Sequence, residues 1–199
     1  ALLIATRVTD NLGMDRKDII GVTMPAFGTS KQTLSQARTL MKYLEIETKE
    51  IDISNAVNEH FDLIGHNRTT VDSAYENAQA RTRTMILMNL ANMYNGIVLG
   101  TGDMSELALG FTTYNGDQMS MYGINAGIPK TLVRFMVKEY AHYKFGDKIE
   151  EVVENVLDTP ISPELVLNQL TEEVIGKYEV NDFIMHRFLR FGDTEERIE

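Results

Sequence analysis

Apolar positions recur along this chain at two periods, and the changes between them mark out its elements. Residues 1–12, ALLIATRVTDNL, carry a helical pattern, and Gly13 supplies a stop. DIIGVTMP (18–25) is a short apolar run ended by Pro25, the mark of a buried strand. FGTS follows as a loop. Ser30 is placed to cap a helix over 31–44, where Leu34, Ala37, Leu40, Met41 and Leu44 recur at helical spacing. IETKEIDI (46–53) alternates apolar and polar residues, as a strand near a sheet edge does. Ser54 is placed to cap a helix over 55–64, and GHNRTT reads as loop.

A long helix is expected over 72–94, with Ala74, Ala78, Met85, Leu87, Met88, Ala91 and Tyr94 among its apolar positions and Asn95-Gly96 as its end. IVLGT (97–101) is again a short apolar strand. Strand, helix and strand in alternation point to an α/β fold with a parallel sheet and right-handed crossovers. After Leu109 the periodicity fades. GFTTYNGDQMSMYGINAGIPK is rich in glycine and asparagine, and ~20 residues without clear structure inside a domain are often functional. Helices return at 131–144 and 147–157. TPISPEL is held extended by its prolines, and the tail YEVNDFIMHRFLRFGDTEERIE is largely an amphipathic helix. With no internal repeat and no low-complexity linker, residues 1–199 read as a single domain.

Composition narrows the function classes. Hydrophobic content is 43% and charged content 24%, ordinary for a globular domain. No apolar run approaches the ~20 residues of a membrane span. The formal net charge of -10 disfavours nonspecific nucleic-acid binding but leaves room for a small anion in a local basic pocket. Cysteine is absent, which excludes disulfides, thiolate zinc sites and cysteine nucleophiles and fits a cytoplasmic protein. The first residues have no Met, no basic region and no cleavage site, so the chain is expected to be N-terminally truncated.

Three stretches carry candidate chemistry. In VLGTGDMSE (98–106), Gly100 and Gly102 would let a phosphate approach the backbone, Thr101 could donate to it, and Glu106 could hold Mg²⁺. The same residues also read as a strand end followed by a capping box of Asp103 and Glu106, which needs no ligand. In YENAQARTRT (75–84), Asn77 and Arg81 share a helix face, and arginine suits carboxylate or phosphate; taken by itself, the stretch reads first as a solvated face with Glu76 nearby. In the irregular segment, Phe111, Asp117 and Lys130 could stack on a ring, accept hydrogen bonds and neutralise phosphate, or could be ordinary loop residues. The four histidines lack metal-ligand spacing, no Walker A motif or GxSxG elbow is present, and the eleven methionines read as core filler.

Taken together and in this order, YENAQARTRT, VLGTGDMSELALGFTTYNGDQMS, INAGIPKTLVR, ISPEL and TEEVIGKYEVNDF resemble the synthetase domain of the NAD synthetases. GDQMS and NAGIPKT resemble the glutamine-dependent, multidomain branch most. The resemblance runs from ALLIA to about residue 192. It implies a doubly wound parallel α/β sheet of the adenine-nucleotide alpha-hydrolase, or ATP-pyrophosphatase, type. It also implies ATP and Mg²⁺ as cofactors and nicotinic acid adenine dinucleotide as substrate. Ammonia, drawn from glutamine in the intact enzyme, would be the nucleophile in an amidation that passes through an acyl-adenylate. Position by position, Thr23 and Met24 match residues against the adenine, Thr101, Lys130 and Ser162 match contacts to ATP, and Glu106 matches a Mg²⁺ ligand close to the dinucleotide. Lys130 and Glu106 are the expected catalytic pair. Asn77 and Arg81 match residues that hold the dinucleotide, with Phe111 and Asp117 beside its pyridine ring. A homodimer or higher homo-oligomer with the 72–94 helix at its contact, and a glutaminase domain in the intact protein, are also implied.

The sequence departs from the pattern at Tyr114 and Met121, where ammonia-only members have Lys and Asp. The family's SGGxDS phosphate loop and the strand before it do not occur in these residues. On that ground the isolated chain is expected to be inactive, and a noncatalytic fragment or paralogue that keeps the dimer scaffold and dinucleotide binding is the alternative.

Overall fold

A computed structural model describes residues 1–145, 147–162, 165–166 and 170–198. Helix α1 (Leu2–Leu12) leads, closed by Gly13 in the left-handed region (φ 66). Strand β1 (Ile20–Thr23) follows, then α2 (Lys31–Tyr43) and β2 (Glu47–Glu50). Next come α3 (Ser54–Ile64), α4 (Ser73–Met93), β3 (Leu99–Asp103) and α5 (Met104–Leu109). Strand β4 (Tyr122–Asn125) precedes α6 (Lys130–Phe145) and α7 (Asp147–Leu157). Short α8 (Thr171–Ile175) leads to α9 (Tyr178–His186), which runs into a π-helical turn (Arg187–Phe191) before α10 (Glu195–Ile198).

The strands form two parallel pairs. β1 lies beside β2 with Ile20 opposite Glu47 and Thr23 opposite Glu50. β3 lies beside β4 with Leu99 opposite Tyr122 and Asp103 opposite Asn125, the register breaking between Gly100 and Asp103. The two pairs are separate sheets among the described residues. Parallel pairing requires a crossover, and α2 supplies it for the first pair.

Two cores hold the layers. Leu3, Met41, Leu44, Ile46, Ala141, Ile149 and Val153 join α1, α2, α6 and α7 over the β1–β2 end. Met24, Ile53, Val57, Phe61 and Ala78 join the end of β1 to α3 and α4, with Phe27 and Tyr75 packed around the buried Phe61 ring. Truncating a fully buried aromatic of this kind costs about 3–5 kcal/mol.

The structure corrects four local expectations. Helix α3 starts at Ser54 itself, and Asp52 accepts from the Ser54 amide, so Ser54 is not the cap. The third strand begins two residues later than expected, at Leu99, after a turn that carries Asn95 at φ 51. The segment after Leu109 is not structureless, because it contains β4. Helix α4 buries Ala78, Gln79, Ala80, Thr82, Thr84 and Ala91, whereas Met85, an expected inward position, is 58% exposed. Parts of ISPEL, Pro163 and Glu164, lie outside the described residues.

Candidate functional site

Strand β3 delivers its last residue, Asp103, as the N-cap of α5. Asp103 Oδ1 accepts from the Glu106 amide at 3.0 Å, and Glu106 Oε2 accepts from the Asp103 amide at 3.0 Å. This reciprocal pair satisfies two helix-end amides that would otherwise lack partners. Each carboxylate keeps its second oxygen for one cation. The Lys130 ammonium lies 2.7 Å from Asp103 Oδ2 and 2.5 Å from Glu106 Oε1. The capping box and the charged site are therefore one structure, with cap and ion pair sharing the same two side chains.

Lys130 is aimed from the first residue of α6, after Pro129. Its amide donates to Ser105 Oγ at 2.8 Å, and Met104 donates to the Ile128 carbonyl at 3.0 Å, so the loop before α6 is bonded to the start of α5. Ser105 Oγ donates to Asp182 Oδ1 on α9 at 2.5 Å. The other oxygen of Asp182 accepts from Thr131 N at 2.9 Å and from its hydroxyl at 2.7 Å. Tyr178, also on α9, places its ring 5.4 Å from the ammonium.

The electrostatics follow from burial. Desolvation alone would pull the Lys130 ammonium down, but its hydrogen bonds to Asp103 and Glu106, with their charges, outweigh it and hold its pKa above the usual lysine value. Burial is also the main reason that the Tyr178 phenol is pushed up to about 12; Lys130 opposes the shift and the nearby carboxylates add to it.

A second cluster forms around the turn after α5. Asn77 accepts from Thr113 Oγ1 at 2.8 Å, and Asp117 Oδ1 accepts from Thr113 N at 2.7 Å. Arg81 donates through Nε to the Tyr114 carbonyl at 3.1 Å. Phe111, half-buried, donates its amide to the Glu106 carbonyl at 3.2 Å and links the two clusters. Four expected substrate residues, Asn77, Arg81, Phe111 and Asp117, thus meet at one turn.

The remaining expected residues sit as follows. Thr101 is exposed on β3, and its carbonyl accepts from Asn125 Nδ2 at 3.2 Å. Thr23 ends β1, on the other strand pair, with its carbonyl bonded to Ile51. Met24 is buried in the core, and its carbonyl already accepts from Arg83 at 3.1 Å. Ser162 is half-buried beside Ile161, whose carbonyl accepts from Thr171. At Gly100 a Cβ would stand 2.2 Å from Ser120 Oγ, so the glycine makes room for that side chain. At Gly102 a Cβ would meet Glu106 Oε2 at 3.6 Å and no closer atom among the described residues, so this position stays open.

Sequence reasoning missed Asp182, Tyr178 and Ser105 as parts of the site. No local signal marks them, because Asp182 meets Ser105 across 77 positions of chain.

The donor set bears on Mg²⁺. Mg²⁺ is held by one or two carboxylates with phosphates and waters completing the shell. Glu106 and Asp103 fit that chemistry, and no cluster of three candidate ligands exists among the described residues. Both carboxylates engage Lys130, so a metal at Glu106 would compete with that ammonium.

Comparison with known proteins bears on the family and the fold. The model of the NAD synthase family matches residues 3–199. The glutamine-dependent NAD(+) synthetase of Mycobacterium leprae is 41% identical over 210 residues, covering 100% of this chain and 31% of that protein. The Thermotoga maritima glutamine-dependent NAD(+) synthetase is 34% identical over 197 residues, covering 98% of this chain and 33% of that protein. The chain therefore spans about a third of the length of these curated relatives. Among solved structures, NMN synthetase from Francisella tularensis superposes with a TM-score of 0.75 at 26% identity, over 98% of this chain and 76% of that one. Glutamine-dependent NAD+ synthetase from Acinetobacter baumannii, solved with ADP, gives a TM-score of 0.65 at 23% identity, over 100% of this chain and 35% of that one, a likeness of fold alone. The fold is of the adenine-nucleotide alpha-hydrolase type.

Proposed function

This chain belongs to the NAD synthase family, and we propose that it supplies the amidation site of a glutamine-dependent NAD synthetase. In this reading an oxygen of the nicotinic acid adenine dinucleotide carboxylate attacks the α-phosphorus of ATP, and pyrophosphate leaves. Ammonia then attacks the acyl carbon, AMP departs with the carboxylate oxygen that bonded to phosphorus, and one proton is lost to give the amide. The first step is needed because a carboxylate is a poor acyl donor until one of its oxygens can leave as part of AMP.

The observation that carries the reading is the Asp103–Lys130–Glu106 arrangement at the end of a parallel strand, where α/β sheets place their ligands. Lys130 exchanges a carboxylate for phosphate oxygens of ATP, and Glu106 would then be free to hold Mg²⁺. Bound Mg²⁺ would neutralise charge developing on the phosphates. Thr101 donates to ATP from the strand end, with Ser162 in a similar role. Thr23 offers backbone atoms to the adenine, as does Met24 at its amide. Asn77, Arg81, Phe111 and Asp117 orient the dinucleotide, and their meeting at one turn supports that assignment. Exclusion of water protects the acyl-adenylate from hydrolysis.

The division of the sheet into two pairs supports the further expectation that a strand and an SGGxDS-type loop, outside these residues, complete the ATP site. A glutaminase domain delivers ammonia, a second copy packs across α4, and the intact protein works in the cytoplasm. The exposed Met85 and Met93 on α4 suit that contact. No helix among the described residues is long and apolar enough to cross a membrane.

The likeness to an NMN synthetase favours a second reading of the substrate, the mononucleotide acid. The curated relatives at higher identity favour the dinucleotide. The test is amide formation by the intact protein with ATP, Mg²⁺ and glutamine, offered each acid in turn. The expected result is conversion of the dinucleotide, abolished in Lys130→Ala. Conversion of the mononucleotide alone, or an unchanged Lys130→Ala rate, would reject the reading.

A further inference from the structure

Helix α9 touches the site from behind, through two residues one turn apart. Asp182 is 6% exposed and accepts three hydrogen bonds, from Ser105 Oγ, Thr131 N and Thr131 Oγ1. Its partners are the immediate neighbours of the two charged residues: Ser105 precedes Glu106, and Thr131 follows Lys130. Ser105 Oγ also accepts from the Lys130 amide, so one carboxylate ties the first two amides of α6, one directly and one through a hydroxyl. An anion at the N-terminus of this 16-residue helix is also favoured by the helix dipole. Tyr178, four residues earlier on α9, lies against the Lys130 ammonium itself.

We propose that Asp182 is a positioning residue for the amidation reaction: it fixes where the first turn of α6 starts relative to α5, and so where Lys130 reaches with respect to Glu106. The inference rests on the reading of Lys130 given above. Asp182 touches neither Lys130 Nζ nor Glu106; it acts through their backbone and neighbours. If its bond to Ser105 is lost, the Lys130 amide keeps only an untethered hydroxyl, and the lysine can shift against its carboxylates. Misplacement by about 1 Å is worth up to ~100-fold in rate.

The test is a mutant cycle in the intact protein, read as amide formation at saturating ATP. Asp182→Ala is expected to lower kcat by ~10–100-fold, with partial rescue in Asp182→Asn, which keeps the shape and one acceptor. In a Lys130→Arg background, where the longer forked side chain is already off position, Asp182→Ala is expected to cost less than about twofold more. Ser105→Ala, which cuts only the relay to the Lys130 amide, is the second variant should Asp182→Ala not fold, and is expected to lose about tenfold. Wild-type rates in Asp182→Ala or in Ser105→Ala would overturn the proposal. So would equal losses in the wild-type and Lys130→Arg backgrounds, which a general weakening of the fold produces. Wild-type rates in Lys130→Ala and Lys130→Arg would instead reject the role of Lys130, a distinct outcome.

Discussion

Replacing Lys130 by methionine keeps the apolar stem and removes the ammonium that two carboxylates share. The Asp103 side chain is 3% exposed and that of Glu106 25%, and each already spends one oxygen on the cap of α5. Their second oxygens would then face each other with no cation between them. Breaking a buried ion pair by deleting one partner costs ~3–5 kcal/mol. The lower end, about 3 kcal/mol, applies here because Glu106 can turn toward water. That is about a 150-fold change in the folding equilibrium, and for a domain of this size a fall in Tm of about 6–12 °C. Urea unfolding followed by circular dichroism at pH 7 measures it. Lys130→Met combined with Asp103→Asn and Glu106→Gln should recover most of the loss, since no unpaired charge remains. A single-variant loss below about 0.5 kcal/mol, or no recovery in the triple variant, would refute the reasoning.

Other consequences follow from the same contacts. The pKa of Lys130 is raised and that of Tyr178 reaches about 12, so the folded state holds more protons than the unfolded chain at alkaline pH. Their contribution to stability is full below the ordinary values near pH 10 and is lost as pH rises toward about 12; a pH series of urea midpoints should fall across that window, less steeply in Lys130→Met. Gly100→Ala drives a methyl into Ser120 and should cost about 1–3 kcal/mol, relieved by Ser120→Gly, whereas Gly102→Ala should leave the urea midpoint unchanged. These 199 residues alone, supplied with nicotinic acid adenine dinucleotide, ammonia, ATP and Mg²⁺, should form no NAD, and detectable product by mass spectrometry would show that no further phosphate loop is needed.

Local signals were the readable ones. Ser30 caps α2, accepting from the Thr33 amide as its position suggested, and Asp103 with Glu106 forms the expected capping box, because both depend on residues three apart. Strand β1 stands out as a run of apolar residues against a proline. Strand β4 was unreadable because Tyr-Gly-Ile-Asn has no strand pattern of its own; it is extended by pairing with β3, some twenty residues earlier. The packing demand for a glycine at 100 is hidden for the same reason: Ser120, the side chain that fills the space beside it, comes from that same distant segment. On α4 the inward face is built of Ala, Thr and Gln, so the larger Met85 misled the reading of its stripe. The double use of Asp103 and Glu106, cap on one oxygen and lysine on the other, required knowing where α6 begins. Asp182 carries no local mark, being an ordinary acid on an amphipathic helix.

The most direct test of the central claim follows oxygen through the reaction. Nicotinic acid adenine dinucleotide labelled with ¹⁸O at both carboxylate oxygens is converted by the intact protein, and the products are weighed by mass spectrometry. The account predicts one ¹⁸O in AMP and one in the amide of NAD. Label in inorganic phosphate, or AMP free of label, would contradict it.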